Sequence, residues 1–227
     1  MKCRFCGEEC IKDGRQANGK QRYKCSHCHK RRQEHYSYNA YSLNLNTDIT
    51  TLTKEGVGIR STARILQISP TTLLHRIILI AKSISRPPIV KHRIYEVDEI
   101  KSFVRRKSEF VWIAYALDRK SKEVVSYNIG PRTNSTLDVV LETPKLSENK
   151  RIYTDRLRNY RSLLDRKIHR TSLYGTNNTE RNNLTLRTHL KRLTRRTICY
   201  SRSMAILSAI LKIYFWGLMI ISIGKFY

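Results

Sequence analysis

Ile94-Tyr95-Glu96-Val97-Asp98-Glu99-Ile100-Lys101-Ser102-Phe103-Val104 is the run around which the rest of the chain organises. Its aromatic and β-branched residues predict a strand, with a carboxylate, Asp98, at its middle. Two similar runs follow at 110–118 and 124–129, across gaps short enough for hairpins. A helix is predicted from about 134 to 141, then a strand, Arg151-Ile152-Tyr153-Thr154-Asp155, and further helices. Three antiparallel strands, a helical crossover and a strand parallel to the first open an α/β ribonuclease-H-like fold, a mixed sheet with helices. In that topology the first and fourth strands are neighbours, so Asp98 and Asp155 can face each other.

The charge surrounding these acids is unusual. The 227 residues carry a formal charge of +26 and a pI near 10.2. That excess points to a polyanionic partner, because each phosphate met by Lys or Arg releases condensed counterions. Between 151 and 202 there are fourteen Lys/Arg against three carboxylates, Asp155, Asp165 and Glu180. Acids kept in such a field suggest divalent metal ions working on a nucleic-acid phosphodiester. No apolar leader follows Met1-Lys2-Cys3, so no signal peptide is expected.

Upstream, Cys3-x2-Cys6 and Cys25-x2-Cys28 are separated by eighteen residues. That spacing suits a tetrahedral zinc site, with a hairpin turning at Asn18-Gly19. Cys10, His27, His29 and His35 are substitute ligands, and four unligated thiols are the plain alternative. Residues 1–40 are therefore read as a structural zinc ribbon, with Arg22 and Lys24 among its basic residues tilted toward DNA.

Residues 41–86 read as an all-α helix-turn-helix. Asn46 or Thr47 caps a first helix ending at Gly56, a short helix holds Ala63, Ile65 and Leu66, and Ser69-Pro70 opens a third helix. The first turns of that helix, Thr71, Thr72, His75 and Arg76, are the expected base readers, and Leu73, Leu74, Ile77, Ile78 and Ile80 its core. An ordinary helical hairpin fits the same pattern. Pro87-Pro88 then separates the α/β region, 89–227.

Three blocks make the reading specific: Glu96-Val97-Asp98-Glu99, Thr154-Asp155-Arg156-Leu157-Arg158-Asn159-Tyr160, and Thr179-Glu180-Arg181-Asn182-Asn183-Leu184. They resemble the catalytic blocks of the insertion-sequence-1 family of bacterial transposases. Asn18-Gly19-Lys20-Gln21-Arg22-Tyr23-Lys24-Cys25, Gly56-Val57-Gly58 with Thr62-Ala63-Arg64-Ile65, and the run 184–203 are similar to that family's zinc module, helix-turn-helix and basic C-terminal region.

The resemblance implies a DDE-type transposase in which Asp98, Asp155 and Glu180 hold two Mg²⁺ ions, with Arg181 and Arg187 available to phosphates. It implies double-stranded DNA partners (terminal inverted repeats and target), a homo-oligomer on DNA, and a cytoplasmic, nucleoid-associated bacterial location. A catalytically inactive DNA-binding regulator derived from a transposase is the alternative. Arg156 stands where some relatives have glycine, and Asn182 where histidine often occurs.

By strand alternation Glu99 turns to the opposite face and Glu96 shares Asp98's side, as an accessory carboxylate or a polar edge residue. The apolar tail from 204 to 221 carries one charge, Lys212. It is expected to be a buried or oligomer-forming helix rather than a membrane span.

Overall fold

The computed structural model describes residues 1–17, 19–33, 38–172 and 174–217. His35, Asn18 of the expected turn and the tail beyond 217 lie outside the described residues. The chain divides into two compact units, Met1–Ser42 and Leu43–Tyr227.

The first unit is a three-stranded antiparallel sheet of β1 (Cys10–Arg15), β2 (Gln21–Cys25) and β3 (Arg31–Gln33). Gly19, at φ +78°, adopts the left-handed conformation of the β1–β2 turn at no Cβ cost.

The second unit begins with α1 (Leu45–Lys54), α2 (Ile59–Ile65) and α3 (Pro70–Ser83). The first helix starts after Asn44, not at Asn46 or Thr47, and no side chain caps it. Asn46 instead offers its carbonyl to the Thr50 hydroxyl, 2.8 Å away, from within the first turn. Its C-terminus follows the sequence reading. Gly56, at φ +71°, closes a Schellman turn in which Val57 N–H donates to the Leu52 carbonyl and Gly56 N–H to that of Thr53. Ser69 caps α3 by accepting from Thr72 N–H at 3.0 Å, with Pro70 at the first helical position. Leu73, Ile77 and Ile80 face inward, while Leu74 and Ile78 are half-buried.

The remainder of this unit is built on a five-stranded mixed sheet. Its strands are β4 (Ile94–Val104), β5 (Arg106–Asp118), β6 (Val124–Gly130), β7 (Arg151–Thr154) and β8 (His169–Arg170), in the order β6-β5-β4-β7-β8. β4, β5 and β6 pair antiparallel; β7 runs parallel to β4, and β8 parallel to β7. The directions of β4 to β7 are those expected from the sequence, whereas β8 stands where only helices were expected.

The crossover helix α4 (Asn134–Leu146) runs one turn past its predicted end, through Pro144. Proline cannot donate to the Val140 carbonyl, which takes the buried Ser126 hydroxyl at 2.6 Å instead. One sheet face buries Val97, Ala114, Ala116 and Ile152 against Leu137, Val140 and Leu141 of α4 and Tyr160 of α5 (Arg158–Leu163).

The opposite face carries α6 (Asn177–His189) and α7 (Met204–Trp216). Leu207, Ile210, Leu211, Ile213 and Trp216 of α7 are buried, and α7 packs on α1, α3 and β6. Tyr127 of β6 donates its hydroxyl to the Ser208 carbonyl, and Trp216 its indole N–H to that of Val124. The described part of the apolar tail thus serves as the core between helical module and sheet. Among the described residues no helix is long and apolar enough to cross a membrane.

Candidate active site

Two parallel strands bring the first two acids together. Val97 pairs with Thr154, so Asp98 and Asp155 follow directly on adjacent strands. β7 ends there, which leaves β4 open beyond Asp98 and lets a third carboxylate, Glu99, reach the same place. Oxygens of Asp98, Glu99 and Asp155 all lie within 4.8 Å of one another.

Each of the three is held differently. Asp98 accepts from Glu99 N–H at 2.8 Å and from the side-chain amide of Asn183 on α6 at 2.7 Å. Burial pushes its carboxyl up to about 6, and the neighbouring charges of Glu99 and Asp155 push the same way. Asp155 accepts from Leu157 N–H at 2.9 Å and lies 3.4 Å from the Arg132 guanidinium. Glu99 is buried; it takes an ion pair from Arg132 at 2.7 Å and a short hydrogen bond from the Tyr160 hydroxyl. Burial, and then the Glu99 charge, keep Tyr160 protonated as the donor. Glu99 is thus largely spent on protein partners, whereas Asp98 and Asp155 retain acceptor capacity.

Glu96 is neither an accessory acid nor a strand-edge residue. It is fully buried and receives the N-terminus of α6: Asn178 N–H at 2.9 Å, Thr179 N–H at 3.1 Å and the Asn178 side-chain amide. Arg119 completes the cluster at 3.1 Å. A negative charge at a helix N-terminus satisfies orphan donors and meets the positive end of the dipole.

Glu180 lies in the first turn of this same α6, exposed, with Thr176 Oγ1 3.4 Å from its carboxylate. Its oxygens are not among the converging set. The α6 residue that touches Asp98 is Asn183, three positions on, whose carbonyl oxygen accepts from the buried Tyr115 hydroxyl at 2.6 Å. Glu180 and Asn183 are surface neighbours on the helix. Arg187, one turn further, is half-buried, and Arg181 is exposed.

Asp98 and Asp155 fit a hard divalent cation: oxygen donors, crowded negative charge and an open strand edge. Arg132, Glu99, Tyr160, Asn183 and Tyr115 are the residues sequence reasoning missed. Glu99, Tyr160 and Asn183 lie within the three blocks quoted from the sequence, whereas Arg132 and Tyr115 carried no signal.

In the other unit, Cys3, Cys6, Cys25 and Cys28 form a second convergent set. Their Sγ atoms approach at 3.6 Å (Cys3–Cys28) and 3.4 Å (Cys6–Cys25). Tetrahedral zinc with Zn–S of about 2.3 Å requires sulfurs about 3.8 Å apart, so the set fits. Phe5 N–H donates to Cys3 Sγ at 3.5 Å, and backbone donors from Phe5 and Cys6 pull that thiol down, while burial and the crowding of the other sulfurs push Cys6 up. Cys10 is buried opposite Cys25 on β1 and lies outside the set, as do His27 and His29.

The expected DNA contacts differ in exposure. Thr71 and His75 are exposed on α3, and Arg76 is half-buried. Thr72 is half-buried and hydrogen-bonded to Ser69. Arg22 is paired with Asp13 at 3.3 Å, and Lys24 is half-buried on β2.

The sequence is similar to that of known proteins. The IS1 transposase family model matches residues 93–219. Insertion element iso-IS1n protein InsB of Shigella dysenteriae is 40% identical over 113 residues, 50% of this chain and 86% of that protein. Insertion element IS1 protein InsB of Shigella flexneri is 39% identical over 108 residues, 48% of this chain and 82% of that protein. Among solved structures, a chain of the simian T-cell lymphotropic virus intasome aligns with TM-score 0.38 and 16% identity, covering 72% of this chain and 66% of that one. That structural likeness is slight, and no role is carried over from it. With more than half its length matched by the family model, the chain belongs to the IS1 transposase family.

Proposed function

We propose that this transposase is a DDE-type enzyme in which Asp98, Asp155 and Glu180 hold two magnesium ions for DNA strand cleavage and strand transfer. The observation that carries the reading is the meeting of Asp98 and Asp155 on adjacent parallel strands at an open sheet edge. Bound there, magnesium supplies activation of the attacking oxygen and stabilisation of the leaving oxygen of an in-line displacement.

The chain's own residues prepare that place. Asn183 orients Asp98, and Leu157 N–H with Arg132 orients Asp155. Glu96 pins the start of α6 and with it the position of Glu180, which neighbours Asn183 on the helix surface. Glu99, compensated by Arg132 and Tyr160, adds negative potential beside the two aspartates.

In the same reading, residues 1–40 are a zinc ribbon held by Cys3, Cys6, Cys25 and Cys28, and residues 41–86 a helix-turn-helix. Together they bind the terminal inverted repeats, with Arg22, Lys24, Thr71, Thr72, His75 and Arg76 toward DNA. Residues 89–227 cut and join, with Arg181 and Arg187 on phosphates. The enzyme works as a homo-oligomer on double-stranded DNA at the bacterial nucleoid.

The test is a Mg²⁺-dependent joining assay with a pre-cut inverted-repeat end, comparing wild type with Asp98→Ala and Glu180→Ala. Joined product from wild type alone supports the triad. Specific end binding with no Mg²⁺- or Mn²⁺-dependent cutting or joining supports the inactive regulator instead.

A further inference from the structure

A second cavity adjoins the acids. β7 pairs with β4 only from Ile94 to Val97, and the next partner on that side is Ser201, opposite Val104. Between them, along β4, lies a cavity of about 420 Å³ lined by Glu99, Lys101, Phe103, Trp112, Arg187 and Arg195. Three of those six side chains are cationic, and no ion pair is found for any of the three among the described residues. Arg187 is the most telling. Its Nε is buried without a hydrogen-bond partner; burial and the like-charged Arg195 disfavour its charge, and Asp98 offsets them only in part. The cavity's one carboxylate, Glu99, is paired with Arg132, so the two arginines have room for an anion from outside.

The aromatic wall gives that anion a chemical class. Trp112 presents a half-exposed indole to the cavity, with the Arg132 guanidinium 4.4 Å from its ring centroid, and Phe103 adds a second ring. Cationic forks beside aromatic rings suit the phosphate and the base of a nucleotide together. The volume falls in the range of small-ligand sites. Arg187 follows Asn183 by four residues, about 6 Å along the helix. On that scale Arg187 stands about one nucleotide from a scissile phosphate at Asp98, in reach of the neighbouring phosphate of the same strand.

We propose that this cavity is a nucleotide subsite that holds one base and its phosphate of the DNA strand next to the reacting phosphate. It deepens the transposase reading and rests on it for the path of the strand. Arg187 and Arg195 take the phosphate, Lys101 adds charge, and the base lies against Trp112.

The test uses the full zinc-loaded chain without Mg²⁺. A four-nucleotide single strand is titrated while tryptophan emission and the anisotropy of a labelled strand are followed. The chain has two tryptophans, and Trp216 is 4% exposed, so Trp112→Phe identifies the responding ring. The subsite predicts saturable quenching that Trp112→Phe abolishes. Arg187→Gln should weaken binding about ten-fold and lower the salt slope by about 0.7, the value for one single-strand phosphate. Arg195→Gln, at an exposed position where folding is not at stake, should act in the same direction.

A strand with an abasic site should bind more weakly and quench less. Equal quenching and affinity for the abasic strand, or DNA binding with unchanged tryptophan emission and salt slope in both arginine variants, would overturn the subsite. Because no metal or catalysis enters, a failed joining assay with intact quenching counts against the triad alone.

Discussion

Replacing Glu96 removes the anchor that joins β4 to α6, and its cost can be worked from the contacts. One carboxylate oxygen accepts from the backbone N–H groups of Asn178 and Thr179; the other accepts from the Asn178 amide and pairs with Arg119. All of this surrounds a side chain with no solvent exposure. Glu96→Ala strands two buried backbone donors and leaves Arg119 without its partner. Hydrogen bonds to a charged acceptor contribute about 1.5–3 kcal/mol each, and the ion pair adds less than a fully buried one because the Arg119 side chain is 35% exposed. These overlap, so the total is set at about 4 kcal/mol.

Glu96→Gln keeps one oxygen for the two backbone donors but turns an NH₂ toward the Asn178 amide and Arg119. Flipping Asn178 to accept would break its bond from Lys122 Nζ, at 2.7 Å. About half the loss, roughly 2 kcal/mol, should remain. At about 2–4 °C per kcal/mol for a unit of this size, thermal unfolding followed by circular dichroism should drop by about 8–16 °C for alanine and about 4–8 °C for glutamine. A Glu96→Ala protein melting within about 2 °C of wild type would refute the anchoring role.

Other perturbations bear on separate parts of the structure. Gly56 has φ +71°, and a Cβ there would overlap the His189 carbonyl, so Gly56→Ala should cost at least about 2 kcal/mol in a denaturant titration, while no loss would deny that contact. Zinc analysis should find one ion per chain, lost in Cys25→Ser and retained in Cys10→Ser; loss in both would contradict the four-sulfur set. Asp98 is raised to about 6, and a cation binds the deprotonated form, so divalent-metal affinity should be level above pH 7 and fall about ten-fold per unit below pH 6. A titration showing no fall until pH 4 would contradict the crowded, buried setting of Asp98.

How much of this was legible depended on what each segment had to bury. The β4 boundaries and the parallel pairing with β7 followed from apolar runs that need two covered faces, and Ser69-Pro70 fixed the start of α3 through a cap and a missing N–H. The α1 start was less legible, because no side chain holds it. Glu99 did leave Asp98's face, but β7 stops at Thr154 and the exposed edge allows its carboxylate back toward the cluster; alternation does not encode where a neighbouring strand ends. The phase of α6 was hidden for a different reason. Its inward residues include Thr179 and Asn183, while Leu184 is 67% exposed, so no apolar stripe marks which way Glu180 turns. Arg132 comes from the turn between β6 and α4, and only the assembled sheet brings it to Asp155.

The central claim is that Asp98 and Asp155 together hold a divalent metal ion. Its most direct test is Mn²⁺ binding to the zinc-loaded full chain, followed by the loss of the free-ion electron paramagnetic resonance signal. Wild type and Asp165→Asn should bind Mn²⁺ alike, and Asp98→Asn and Asp155→Asn should each lose at least ten-fold in affinity while still binding DNA. Equal Mn²⁺ binding by all four proteins would contradict the account.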